Sequence, residues 1–188
     1  RIPAVTAWVL SRENLARPRE ELDPYFDVLI ELFRRLPARC EGYDMSIRFI
    51  GSLDLLPDDV VMAAKAAEAA RPDGQRHLNI AMGYGGRQEI VDAARDLIAE
   101  LAEAGVPAEE MANRVDAESL ARHMYSADLP DPDLLIRTSG ESRLSGFLLW
   151  QSAYAEFVFV DVYWPAFRRV DFLRAIRDFS RRERRFGR

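Results

Sequence analysis

Short apolar runs alternate along this chain with longer stretches whose apolar residues recur every three or four positions. Residues 4–10 (AVTAWVL), 45–51 (MSIRFIG), 77–83 (HLNIAMG), 133–137 (DLLIR) and 157–164 (FVFVDVYW) are rich in β-branched or aromatic side chains, which predicts strands. Residues 19–36, 57–71, 86–105, 116–126 and 170–185 carry the helical period. A strand apolar on both faces needs cover on both, and a parallel neighbour is reached only through a crossover. The order therefore predicts an α/β fold: an open, mainly parallel sheet with helices on both faces. The segments 72–76 (PDGQR) and 127–133 (ADLPDPD) read as loops, and no repeat or low-complexity tract interrupts the pattern.

Polar residues gather where the predicted strands end: SRENLARP (11–18), GYGGR (83–87), RTSGESR (137–143) and YWP (163–165). In a parallel sheet these ends share one edge, which is where such sheets bind ligands. Within IRTSGESRLSGF (136–147), Arg137 and Arg143 offer forked donors, Ser145 a hydroxyl and Gly140 a close backbone approach. A helix starting near Ser145 would add the positive end of its dipole. This reads as a cradle for an oxyanion; the plainer alternative is a solvated turn with surface arginines. Glu141 weakens a purely electrostatic account, and could instead orient an arginine. In SRENLARP, Ser11, Asn14 and Arg17 either face a cavity or form a cap and first turn leading to Pro18, with Arg12 and Glu13 weaker candidates. GYGGR lacks the G-x-G-x-x-G spacing and reads as a tight strand-to-helix turn, with Arg87 either on a ligand or bracing that turn. Glu156, just before the last strand, is either a hard oxygen donor for a divalent ion or a surface glutamate.

Composition narrows the choices. At 188 residues and 48% hydrophobic, the chain supports one core, so residues 1–188 read as a single domain. A net charge of −5 gives no general attraction for nucleic acid, so an anion site has to be local. One cysteine, Cys40, and two histidines, His77 and His123, cannot build a Cys/His metal cluster; structural roles are expected for all three, in a reducing cytoplasm. No apolar run approaches the roughly 18 residues of a membrane span. RRERRFGR (181–188) reads as a helix end whose arginines complement the dipole, since it lacks the aromatic interleaving of a nucleic-acid patch. The opening RIPAVTAWVL enters a strand pattern at once, as if taken from inside a larger protein.

SRENLARP, GYGGR, IRTSGESRLSGFLLWQSAYAE, WPAF and RRFG occur in the order seen in cis-prenyltransferases, and from residue 4 onward the chain resembles that family of undecaprenyl and Z-isoprenyl diphosphate synthases. The resemblance implies Mg2+-dependent condensation of isopentenyl diphosphate with an allylic diphosphate, giving a cis double bond, in a cytoplasmic homodimer. Contact with a membrane surface is implied only for a long product. It further implies that Arg137, Arg143 and Ser145 bind isopentenyl diphosphate and that Arg17 ligates the allylic diphosphate. Ser11 and Asn14 would line the reaction centre, with Asn14 catalytic. Glu156 would help hold Mg2+ from the partner subunit, and Arg185 and Gly187 match a C-terminal R-x-G element that reaches across the dimer. The physics agrees, because two diphosphates demand forked arginines and a divalent ion.

Departures from the family pattern shape the expectation. The D-G-N-R-R-W strand, whose Asp is the central catalytic residue, is absent, so the chain corresponds to about three quarters of the family domain from its C-terminal side. This chain alone is then expected to turn over little or nothing. Leu15 stands where long-chain members carry Trp, Ser142 where some carry His and Gly146 where many carry Asn, which resembles the short-chain, Z-farnesyl branch. In that comparison Tyr25 and Val28 face the product tunnel, where Tyr25 would stop chain growth. The alternatives are a long-chain undecaprenyl or decaprenyl synthase serving lipid-carrier and cell-wall synthesis, a non-catalytic partner subunit of the same fold, or an unrelated nucleotide- or sugar-phosphate-binding module.

Overall fold

The computed structural model describes residues 2–181. Five strands run in chain order as β1 (Ala4–Ser11), β2 (Met45–Ile50), β3 (Arg76–Tyr84), β4 (Leu134–Arg137) and β5 (Glu156–Phe159). The helices are α1 (Arg19–Glu41), α2 (Asp58–Ala70), α3 (Gly86–Glu103), α4 (Ala108–Met111), α5 (Ala117–Ala121) and α6 (Arg169–Ser180). All strand pairings are parallel, as the alternation predicts, and they form a three-stranded set in the order β1-β3-β2 and a two-stranded set β4-β5. The chain divides into two compact units, one up to Leu129 and one from Pro130 onward.

In the first unit β3 is central, with Ile80 opposite Ala7 on β1 and Phe49 on β2. One set of alternating positions, Ile47, Phe49, Ile80 and Met82, joins Leu10 in a core with α1 and α2. Helix α1 supplies Leu22, Phe26, Leu29 and Phe33, spaced four, three and four apart, which is one helical stripe. Helix α2 contributes Val60, Ala64 and Ala67, whose small side chains suit close approach. The outer edge of β2 is closed by α2 and its end: the Phe49 N–H donates to the Glu68 carboxylate at 2.7 Å and the Ile47 N–H to the Arg71 carbonyl at 2.9 Å.

The structure corrects several boundaries. Helix α1 does not stop at residue 36; it continues through Pro37 to Glu41. Pro37 has no N–H for the Phe33 carbonyl, but Cys40 is buried in the same core and holds the last turn in place. The helix expected over 116–126 is short, Ala117–Ala121, opened by a capping box in which Asp116 accepts the Ser119 N–H at 2.7 Å. The strand expected over 157–164 ends at Phe159.

In the second unit β4 and β5 pair from Leu134 opposite Glu156 to Arg137 opposite Phe159. Helix α6 begins on a capping box, with Asp171 accepting the Arg168 N–H at 3.0 Å. That backbone bond, with Arg168 and Arg174 nearby, holds the Asp171 carboxyl below its ordinary value. Among the described residues no helix is long and apolar enough to cross a membrane.

Phe33 is fully buried, and its ring meets that of Phe49 edge-on at 4.7 Å. Phe33→Ala is expected to cost about 3–5 kcal/mol of stability, read from the shift of a urea unfolding curve.

Candidate active site

At the carboxyl end of β1 the pairing with β3 slips twice, between Trp8 and Leu10 and again between Leu10 and Ser11. Such bulges bend a strand and re-aim its side chains. The chain then enters a 3-10 turn at Glu13–Ala16. Ser11 supports that turn, its hydroxyl oxygen accepting the Asn14 N–H at 3.1 Å, and the Arg17 N–H closes on the Asn14 carbonyl at 3.1 Å. Asn14 and Arg17 thereby join Val9, Leu10, Glu21, Leu22 and Tyr25 around a cavity of ≈ 300 Å³. Of the three residues singled out in SRENLARP, the structure brings Asn14 and Arg17 to the cavity and leaves Ser11 as the cap beneath them. Arg17 is exposed and its ion pair with Glu21, at 3.8 Å, is loose. Val28 does not line this cavity; it is 63% exposed.

Arg12 proves more integral than its sequence suggests. Its guanidinium donates to the Ser52 hydroxyl at 2.7 Å and its N–H to the Tyr84 carbonyl at 2.9 Å, so it binds the ends of β2 and β3 to that of β1. GYGGR forms the tight strand-to-helix turn expected of it, with Arg87 exposed at the start of α3.

Behind that turn lies a buried polar network the sequence reading missed. The Tyr84 hydroxyl donates to the Glu89 carboxylate, which also accepts the Tyr125 N–H at 3.0 Å. The Tyr125 hydroxyl donates to Asp92 at 2.7 Å. Burial, then the Asp92 carboxylate, pushes the Tyr125 hydroxyl well above its ordinary value, so it remains a donor. Glu89 is fully buried. The available signal was periodicity, because Glu89, Ala93 and Leu97 fall on one inward stripe of α3.

In the second unit Arg137 closes β4. The loop after it turns sharply through Ser139 (φ 74°) and Gly140 (φ 69°). It is held by the Ser139 N–H on the Val162 carbonyl at 2.8 Å and the Gly140 N–H on the Val160 carbonyl at 3.2 Å. The Arg137 Nε is buried and has no hydrogen-bond partner among the described residues. A buried unpaired donor on a cation is costly to leave unmet. Arg143 is 70% exposed and pairs with Glu141 at 2.8 Å, the orienting role expected of that carboxylate. Ser145 is exposed on the same stretch.

The helix expected near Ser145 does not form. Ser145 (φ 55°), Gly146 (φ 90°) and Leu148 (φ 45°) adopt left-handed backbone, and residues 145–154 make a succession of turns. No helix dipole reaches the cradle there. Glu156 opens β5 opposite Leu134, whereas Arg137 lies opposite Phe159 at the other end of the pair. At strand rise, Glu156 is about 10 Å along the sheet from that arginine. Among the described residues no group of three or more His, Cys, Asp or Glu side chains forms a metal cage. Arg185 and Gly187 lie outside the described residues.

The remaining candidates are structural. His77 shares a hydrogen bond with Ser46 at 2.9 Å, and His123 lies between the Ser119 carbonyl at 2.8 Å and Glu100 at 2.6 Å. Cys40 is buried, and burial pushes its thiol pKa up.

Residues 1–187 match the profile of the family described as putative undecaprenyl diphosphate synthase. The chain belongs to this family, the cis-prenyltransferases. Isoprenyl transferase 1 of Corynebacterium diphtheriae is 51% identical over 187 residues, covering 99% of this chain and 70% of that protein. The (2Z,6E)-farnesyl diphosphate synthase of Thermobifida fusca is 52% identical over 187 residues, covering 99% and 72%. The crystal structure of lavandulyl diphosphate synthase from Lavandula x intermedia, in complex with dimethylallyl diphosphate, superposes with a TM-score of 0.91 at 32% identity, covering 100% of this chain and 80% of that one. The reaction class of this cis-prenyltransferase is therefore prenyl transfer with formation of a cis-prenyl diphosphate.

Gly140 tests the cradle. A Cβ at this position would lie 2.7 Å from the Asp161 Oδ1, on backbone with φ at +69°. Gly140→Ala is expected to cost about 1–2 kcal/mol from the backbone alone. Adding Asp161→Ala should relieve the contact but leave that loss in place, measured as unfolding midpoints of the single and double variants.

Proposed function

We propose that this chain carries a short-chain Z-isoprenyl diphosphate synthase of the (2Z,6E)-farnesyl type, joining isopentenyl diphosphate to an allylic diphosphate with Mg2+ in the cytoplasm. The observation that carries the reading is the buried Arg137 Nε, without a partner among the described residues, at the end of β4 and ahead of the glycine-sharpened loop that leads to Arg143 and Ser145. A diphosphate presents several charged oxygens to such a group, and a guanidinium can meet them two at a time. Arg137, Arg143 and Ser145 are accordingly assigned to isopentenyl diphosphate, and Arg17 to the allylic diphosphate. Ser11 supports Asn14, whose amide orients the reacting groups from the cavity wall.

In the reaction, the allylic carbon–oxygen bond breaks while the isopentenyl double bond attacks that carbon. A carbon–carbon bond forms, diphosphate departs, and a proton is lost to restore a double bond in the cis configuration. Arg17 stabilises the charge that grows on the departing diphosphate, the kind of preorganised stabilisation that lowers such barriers most. Mg2+, when bound, would screen diphosphate oxygens. Glu156 is assigned to help hold it, and among the described residues no group of three or more His, Cys, Asp or Glu side chains forms a cage.

The separation of Glu156 from Arg137 along the strands favours a homodimer in which Glu156 serves the partner's site. Exposed aromatic side chains in the second unit, Tyr154, Phe159, Tyr163 and Trp164, suit burial against a second copy. Arg185 and Gly187 are assigned to the same cross-dimer contact. The short-chain assignment is supported by Leu15, Ser142 and Gly146 and by the small cavity. A short product needs no membrane surface.

The test is incubation of the full-length protein with labelled isopentenyl diphosphate, Mg2+ and geranyl or farnesyl diphosphate, with products separated by chain length. Addition of a single unit to geranyl diphosphate is expected; no elongation from any allylic primer overturns the reading. Arg137→Lys keeps the charge but loses the fork and Nε. It should raise KM for isopentenyl diphosphate by about 10- to 100-fold, leaving the allylic KM within about twofold. Unchanged kinetics would refute the cradle assignment.

A further inference from the structure

The turn that presents Asn14 and Arg17 has little of its own to hold it. It is one short stretch of 3-10 backbone, Glu13–Ala16, in which no residue is fully buried and Leu15 packs half-buried against the core. The Ser11 hydroxyl caps it locally. Short 3-10 pieces have poorer hydrogen-bond geometry than an α-helix, so a turn that must stay in place needs a tie from outside.

Arg12, the residue just before the turn, provides that tie. Its carbonyl accepts the Leu15 N–H at 3.2 Å, its own N–H donates to the Tyr84 carbonyl at 2.9 Å, and its guanidinium donates to the Ser52 hydroxyl at 2.7 Å. Of these bonds, the last is the one that a side-chain change can remove. Ser52 is buried just past β2, and its N–H bonds the Gly83 carbonyl at 3.3 Å, so the acceptor is itself fixed. The hydroxyl that accepts from Arg12 keeps its own proton to donate. It hydrogen-bonds the Tyr125 hydroxyl, which donates to Asp92 at 2.7 Å. A guanidinium and a carboxylate are thus joined through two hydroxyls, each bond polarised by the next. The chain of bonds runs from the foot of the turn to α3. Arg12 is not among the residues that line the cavity, so its influence on a ligand passes through the turn.

We propose that Arg12, pinned on Ser52, is a positioning residue for prenyl transfer: the bond between them sets where Asn14 and Arg17 stand, and so how the allylic diphosphate is held. The proposal rests on the synthase reading above, which assigns Arg17 to that diphosphate, and adds to it two residues that act without touching a substrate. A misplacement on the order of 1 Å, caused far from the chemistry, can cost about 100-fold in rate, so losing this bond is measurable.

The full-length parent, Ser52→Ala, Arg12→Met and the double variant are assayed with labelled isopentenyl diphosphate, Mg2+ and geranyl diphosphate, each below its own unfolding midpoint. Ser52→Ala is expected to lower kcat/KM for geranyl diphosphate by about 10-fold and to leave the KM for isopentenyl diphosphate within about twofold. Arg12→Met should do the same. The double variant should lose about as much as either single variant, because each removes the one bond. A lowered unfolding midpoint with unchanged kcat/KM makes the bond merely structural and overturns the proposal. Losses that add in the double variant overturn it too, as does a KM for isopentenyl diphosphate that rises in step with the allylic loss. A parent that elongates no primer defeats the synthase reading instead.

Discussion

The ligand end of the first unit depends on one close approach of backbone to backbone. Gly51, just past β2, passes so near the Met82 carbonyl on β3 that a Cβ there would lie 2.2 Å from it. Only glycine permits this, and its φ of +113° also suits glycine. With the two strand ends this close, Ser52 comes within reach of Arg12, and Arg12 draws the end of β1 onto both. The 3-10 turn that presents Asn14 and Arg17 then has a rigid base. Tyr84, Glu89 and Tyr125 brace the turn between β3 and α3 with hydrogen bonds that burial makes costly to break. A site that must hold charge without moving is built here from backbone contact first and side chains second.

Charge is organised locally. The chain is acidic overall, yet each candidate anion site sets an arginine at a strand end, where the backbone has already been turned aside. The arginines differ in readiness. Arg137 has a buried donor unmet, Arg143 is held in the open by Glu141, and Arg17 rests loosely against Glu21. Exposed pairs of the latter kind contribute little to stability and are readily exchanged for a better anion. On the proposed assignment the fold gives up little when a diphosphate binds, and the buried donor of Arg137 gains most.

Much of the fold is legible in the sequence because strand and helix periods are local properties. The five strands, the long helices and the parallel pairing all follow from where apolar residues recur. The failures have specific causes. The helix expected to end at 36 runs on through Pro37 to Glu41, where a buried Cys40 outweighs one missing hydrogen bond. A helix starting near Ser145 would have added its dipole to the cradle, but left-handed backbone at three of four positions from 145 to 148 prevents it. Glu89 went unmarked in the sequence, although its place on the inward stripe of α3 is visible in its spacing from Ala93 and Leu97.

For the site the division is sharper. The sequence by itself determined which residue types stand at the strand ends, and hence that Arg137, Arg143, Ser145, Asn14 and Arg17 are candidates for holding an anion. Only the tertiary structure decided which of them act together. It joined Asn14 and Arg17 to one cavity, made Ser11 their support, and set Glu156 at the opposite end of its strand pair from Arg137. It also brought Arg12 to Ser52, forty positions apart, and Tyr25 to the carbonyl of a bulged Val9. The physical reason is that residue type and period are carried by neighbours in the chain. Register, bulges and unmet donors exist only after distant segments have packed, and nothing local encodes which carbonyl a strand will leave over.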